Sequence, residues 1–215
     1  MTKYYEILLQ IGLLSHQLPV LIVVYNLLKY RGAPLMEKLL YFFVIYNGIV
    51  ILVEQFILLG RINNFNPIFN IQSFLDTTLF LLILSLILNK QRFMKLTVVV
   101  TILFCFFGII EIVNWNSIYS INTLSNSIGK FLVVISSVYV IYQLTTSIST
   151  ELNKGHLVVA LTFLFYTLLS LVIALFEEIV RENNDSFFEK IWMIQISLGI
   201  LFNVSLSFGI WLMKK

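Results

Sequence analysis

Seven stretches of roughly twenty residues run almost without charge through this chain, near 5–28, 39–59, 68–88, 96–113, 121–144, 157–180 and 188–212. A helix rises about 1.5 Å per residue, so each stretch is long enough to cross about 30 Å of hydrocarbon. Lipid offers no partner to an unpaired peptide group, which leaves helix as the only spanning structure for such runs and puts the connections at the two surfaces. The expected fold is therefore all-α, a single polytopic seven-transmembrane-helix bundle over residues 1–215. Composition agrees, because only 12% of the residues are charged, about half the fraction a soluble domain carries.

If seven spans alternate in direction, Lys29, Arg31, Lys38, Lys90, Arg92, Lys95, Lys154, Lys214 and Lys215 gather at one surface. The other surface holds Lys3, Arg61, Arg181 and Lys190 among Glu182, Asp185 and Glu189. Basic loops stay in the cytoplasm, which predicts the N-terminus outside and the C-terminus inside. The net charge of +3 follows from those loops and is a topology signal, so no nucleic-acid partner is expected. The first run contains Glu6, has no A-x-A-like cleavage site and follows a single lysine; it is expected to be a permanent helix.

The connections are too short to fold as separate domains, and the chain has no glycine-rich phosphate loop and no CxxC pair. A soluble kinase, nuclease or nucleotide-binding domain is thereby excluded. Cys105 is the single cysteine and lies within the fourth run, where it reads as a small packing residue. His16 and His156 fall in different halves of the bundle, too far apart to share a metal. No cofactor and no metal are expected.

Charge inside a span is costly and is usually met by a partner in the bundle interior. Lys130 lies about nine residues into the fifth span, roughly 13 Å deep by helical rise. Asp76 lies equally deep in the third span, which enters from the same side, and it is the expected partner. Residues four apart share a helix face. Asn122, Asn126 and Lys130 thus form one polar stripe continued by Ser137, and Gln72 and Asp76 form another beside Ser73 and Thr77. Other polar residues join them from the remaining spans: His16 beside Pro19, Glu54, Glu111, Ser170 and Glu177, and Gln195 followed by Asn203 and Ser207. Pro19 removes a backbone donor and is expected to bend the first helix.

Two readings fit these residues. In one, Asp76 and Lys130 are a buried pair and the amides and hydroxyls join neighbouring helices. In the other they line a polar cavity open to the outside, where water or a ligand helps to satisfy them. The second reading makes Asp76, Lys130, Asn126, Gln72, Glu54, His16, Gln195 and Glu111 the candidate ligand-binding residues. None is assigned a catalytic role.

Three stretches carry a resemblance: "NIQSFLDTTLFLLILS", "NWNSIYSINTLSNSIGKFLVVISSVYVIYQL" and "FEKIWMIQISLGILFNVSLSFGIWL". Together they resemble small bacterial seven-helix integral membrane proteins with no established activity, and the likeness covers most of the chain after the second span. That group tends to carry a glutamate where Asp76 stands, a second near Ser125 and a histidine near Gln195. This chain keeps the first acidic position and replaces the other two. The resemblance implies seven helices and a bacterial inner membrane, and no reaction.

Three function classes follow. The first is a non-enzymatic sensing or binding module whose partners are the lipid bilayer, a small polar or amphipathic ligand, and a membrane protein or second copy of the chain. The alternative is a transporter or an oligomeric channel, although seven spans do not divide into equal inverted halves. An intramembrane enzyme comes third, because no histidine cluster is present and the seventh span has no internal lysine for a Schiff base.

Overall fold

A computed structural model describes residues 3–29, 32–56, 66–114, 123–146, 153–181 and 185–214. It is all-α, with no strand among the described residues. The helices are α1 (Lys3–Ser15), α2 (Gln17–Lys29), α3 (Leu35–Phe56), α4 (Asn66–Leu88), α5 (Gln91–Asn114), α6 (Thr123–Thr146), α7 (Lys154–Arg181) and α8 (Asp185–Leu212). Pro19 has no N–H to offer the carbonyl of Ser15, four residues back, and the helix gives way between them in a turn at His16. The expected bend is thus a break. Because α1 and α2 share one apolar stretch, Ile7–Lys29, the eight segments form seven rods.

Among the described residues, six stretches are long and apolar enough to cross a membrane: Ile7–Lys29, Ile71–Leu88, Gln91–Glu111, Leu124–Thr146, Lys154–Ile173 and Met193–Leu212. The chain is consistent with a multi-pass membrane protein. Helix α3, with 22 residues, is the remaining rod.

Each rod packs on the next in the chain, and α8 returns to α1 and α2, closing a ring. The ring is not even. Helix α4 packs directly on α6 and touches α7, which pushes α5 to the outside. Accordingly Ile102, Leu103 and Phe106 of α5 are exposed, as apolar side chains facing lipid should be.

The best-buried apolar residues lie toward the basic end: Val23 of α2, Leu40 and Phe43 of α3, Leu81 and Leu84 of α4, Val140 of α6, Val159 and Phe163 of α7, and Ile210 of α8. Lipid tails are as apolar as these side chains, so close packing rather than water exclusion holds the helices together. Small residues allow it. A Cβ on Gly155 would meet the Met213 backbone nitrogen at 2.6 Å and the Gly209 carbonyl oxygen at 2.8 Å, so α7 and α8 touch backbone to backbone. At the same end the buried Glu37, in the first turn of α3, forms an ion pair with Lys214 beyond α8.

Across the middle of the ring lies a layer of aromatic rings. Phe80 and Phe163 stack with centroids 4.1 Å apart, Phe43 meets Phe80 edge-on at 5.0 Å, and Tyr166 covers Phe202 at 4.4 Å. These side chains come from α3, α4, α7 and α8, and each contact of this kind contributes about 0.5–1.5 kcal/mol beyond the area it buries.

Candidate functional site

Helices α4 and α6 run parallel, and two hydrogen bonds set their register. Ser73 Oγ donates to Asn126 Oδ1 at 2.8 Å, 53 residues apart in sequence. Near the other end Lys90 Nζ donates to Gln143 Oε1, again 53 residues apart. Between them the two helices come close at Gly129, where a Cβ would lie 2.8 Å from Thr77 Oγ1 and 2.9 Å from Phe104 Cζ.

With that constant offset, Asp76 and Lys130 stand at the same height, within about one residue's rise. The Asp76 Oδ1 atom is buried inside the bundle. Lys130 extends to the third helix of the group, where its Nζ lies 3.5 Å from the Ser170 carbonyl oxygen of α7, the long limit of a hydrogen bond. Ser73, Asp76, Asn126, Lys130 and Ser170 thereby stand within about one turn of a common height on α4, α6 and α7, and together they make the candidate polar site. It lies on the side of the aromatic layer away from Lys90, Lys154 and Lys214.

Glu111 stands in the last turn of α5. Its side chain is buried, and Oε2 accepts a hydrogen bond from the backbone N–H of Ser125 at 3.0 Å. Ser125 is in the first turn of α6, where N–H groups lack helical partners and the helix dipole favours negative charge. Glu111 therefore anchors the start of α6, and with it the stripe that carries Asn126 and Lys130.

Gln72 is half-buried on α4, next to Ser73. His16 is half-buried between α1 and α2, and Gln195 is half-buried on α8. The first rod packs on α8, Asn203 Nδ2 donates to Ser15 Oγ at 3.1 Å, and Ser15 Oγ donates to the Gly12 carbonyl at 2.6 Å. The side chains of Glu54 and Glu177 lie outside the described residues, as does Asn122.

The cluster at the basic end is absent from the sequence reading. Tyr41 Oη donates to Glu37 Oε2 at 3.4 Å, beside the Lys214 ion pair. Alternating spans place Lys38 and Lys214 at one surface, and the neighbouring carboxylate, Glu37 in the first turn of α3, was the signal available.

Chemically, the Lys130 site offers an ammonium, a carboxylate, an amide and a hydroxyl. That set recognises an anionic or hydrogen-bonding group. Among the described residues no three His, Cys, Asp or Glu side chains are grouped to hold a metal. A separate groove between α7 and α8, lined by Leu161, Phe165, Leu169, Leu198 and Leu201, is apolar and opens on exposed side chains, as a lipid-facing crevice does. Comparison with protein-family models, curated proteins and solved structures finds no match to this chain.

Proposed function

We propose that this chain is a non-enzymatic sensing or binding module of a bacterial inner membrane, with its N-terminus outside and its C-terminus in the cytoplasm. Its site is a polar cavity around Asp76 and Lys130 that opens outward. The observation that carries this reading is the α4–α6 register, which puts a carboxylate level with an ammonium deep in an apolar bundle. The ligand is a small polar or amphipathic molecule with a carboxylate or similar anionic group. Such a group replaces Asp76 at the Lys130 ammonium, and the change in pairing shifts α4 relative to α6 and α7. A membrane partner reads that shift.

The aromatic layer favours binding over transport. Stacked rings from α3, α4, α7 and α8 lie between the polar site and the basic end, and a conduit through one copy of the chain would have to part them.

The test compares Asp76→Leu, Lys130→Met and the double variant for thermal stability in detergent and for complementation of a deletion strain. Each single variant leaves a charge without its counterpart and is expected to lose about 3 kcal/mol or more, which the double variant largely recovers. A double variant that is stable but fails to complement supports the site. One that is stable and complements fully makes the pair a packing feature only and sinks the proposal.

A further inference from the structure

Several hydroxyls among the described residues follow one habit. Ser85, Thr162, Ser197 and Ser207 each donate to a carbonyl three or four residues back on their own helix, at 2.8, 2.8, 2.8 and 2.7 Å. A hydroxyl in a dry helical interface has that carbonyl as its nearest acceptor. Thr101, Ser125, Ser137 and Thr167 depart from the habit, and of these Thr167 and Ser137 stand on the two helices that meet at Lys130. They are 3% and 0% exposed, and their hydroxyl oxygens have no hydrogen-bond partner among the described residues. A buried hydroxyl left dry is costly, although a bond to its own helix is one side-chain rotation away.

Their positions relate them to one place. Thr167 precedes Ser170 by three residues on α7, and Ser170 supplies the carbonyl that Lys130 approaches. Ser137 follows Lys130 by seven residues and so stands on the same face of α6. Because α6 and α7 are antiparallel neighbours, both hydroxyls lie below Lys130, Thr167 by about 4.5 Å and Ser137 by about 10 Å of helical rise. One turn below Thr167 stands Phe163, stacked on Phe80.

We infer that internal water occupies a dead-end well along the α6–α7 seam, running from the Lys130 ammonium past Thr167 to Ser137 and closed by the Phe80–Phe163 stack. Buried water typically bridges polar groups that lack protein partners, and here it joins two such hydroxyls to a cation. The water solvates the ammonium on the side away from Asp76, so exchanging Asp76 for another anion does not strip the cation bare. A well that ends on stacked rings has the shape of a binding site, not of a conduit. This inference deepens the binding reading by adding water as a resident component of the same site.

The experiment is water-edited solid-state NMR on the full chain in phospholipid vesicles, with the melting temperatures of Thr167→Val, Ser137→Ala and the control Thr162→Val measured alongside. Magnetisation from water should reach Thr167 and Ser137 several-fold faster than it reaches Ser85 or Thr162. Equal, slow transfer to all four overturns the well. Thr167→Val should lower the melting temperature by about 2–4 °C, since it removes a partner from the water; a rise would mean that the hydroxyl was dry and would overturn the proposal as well. If a variant does not fold, the wild-type spectra decide. Neither readout involves a ligand, so a functionally silent Asp76/Lys130 pair and a dry seam are separate results.

Discussion

Ser73 donates a hydrogen bond to Asn126 across 2.8 Å, and this contact puts Asp76 and Lys130 at one height. Both partners lie one turn from the charged residues on their own helices. A slip of α4 against α6 by a single turn would break the bond and separate the charges by about 5 Å. The polar site is therefore a consequence of register, and register depends on close packing at Gly129 and on the anchoring of α6.

That anchoring predicts the behaviour of Glu111. Glu111→Ala leaves the Ser125 N–H without its carboxylate and should cost about 1.5–3 kcal/mol, as a buried hydrogen bond to a charged group does. Glu111→Gln keeps an oxygen acceptor and should lose roughly half as much. Unfolding in mixed detergent, followed by circular dichroism, gives both values. A Glu111→Gln protein as stable as the wild type would mean that the carboxylate charge at the α6 terminus is irrelevant.

Packing at the basic end predicts a contrast between two glycines. Gly155→Ala drives a methyl into the Met213 and Gly209 backbones, and backbone cannot rotate away, so a loss of about 1–3 kcal/mol is expected. Gly199→Ala, with nothing within 4 Å of the new Cβ, should be neutral or gain up to about 1 kcal/mol from helix propensity. Thermal melts of both variants check the pair. A Gly155→Ala protein as stable as the wild type would contradict the backbone contact of α7 and α8.

The ion pair of Glu37 and Lys214 should show up as a coupling energy. Lys214→Met leaves the buried Glu37 carboxylate facing an apolar side chain, whereas Lys214→Met with Glu37→Leu removes both charges. The double variant is expected to be the more stable of the two, with a coupling of about 0.5–3 kcal/mol in a double-mutant cycle. Additive losses would show that the pair contributes nothing of its own.

Orientation is tested by labelling in a Cys105→Ala background. A cysteine at Asp185 should react with a membrane-impermeant maleimide added to intact cells, while cysteines at Arg92 and Lys154 should react only after lysis. Labelling of Arg92→Cys in intact cells would reverse the assignment of inside and outside.

The number and helical nature of the rods were legible in the sequence because a bilayer leaves an apolar run of twenty residues no other structure. The break at His16 was legible in part, since Pro19 withholds a donor from a known carbonyl. Counting depth from the same surface also brought Asp76 and Lys130 to one level. The neighbours of each rod were not legible. Apolar residues surround these helices on every side, because lipid and protein interior are equally apolar, and so the pattern does not mark which face meets another helix. Only the folded chain decides that α4 packs on α6 with α5 outside, that Glu111 serves the start of α6, and that Glu37 meets Lys214. Those choices depend on the approach distances that Gly129 and Gly155 permit and on hydrogen bonds between residues far apart in sequence, which no local pattern encodes.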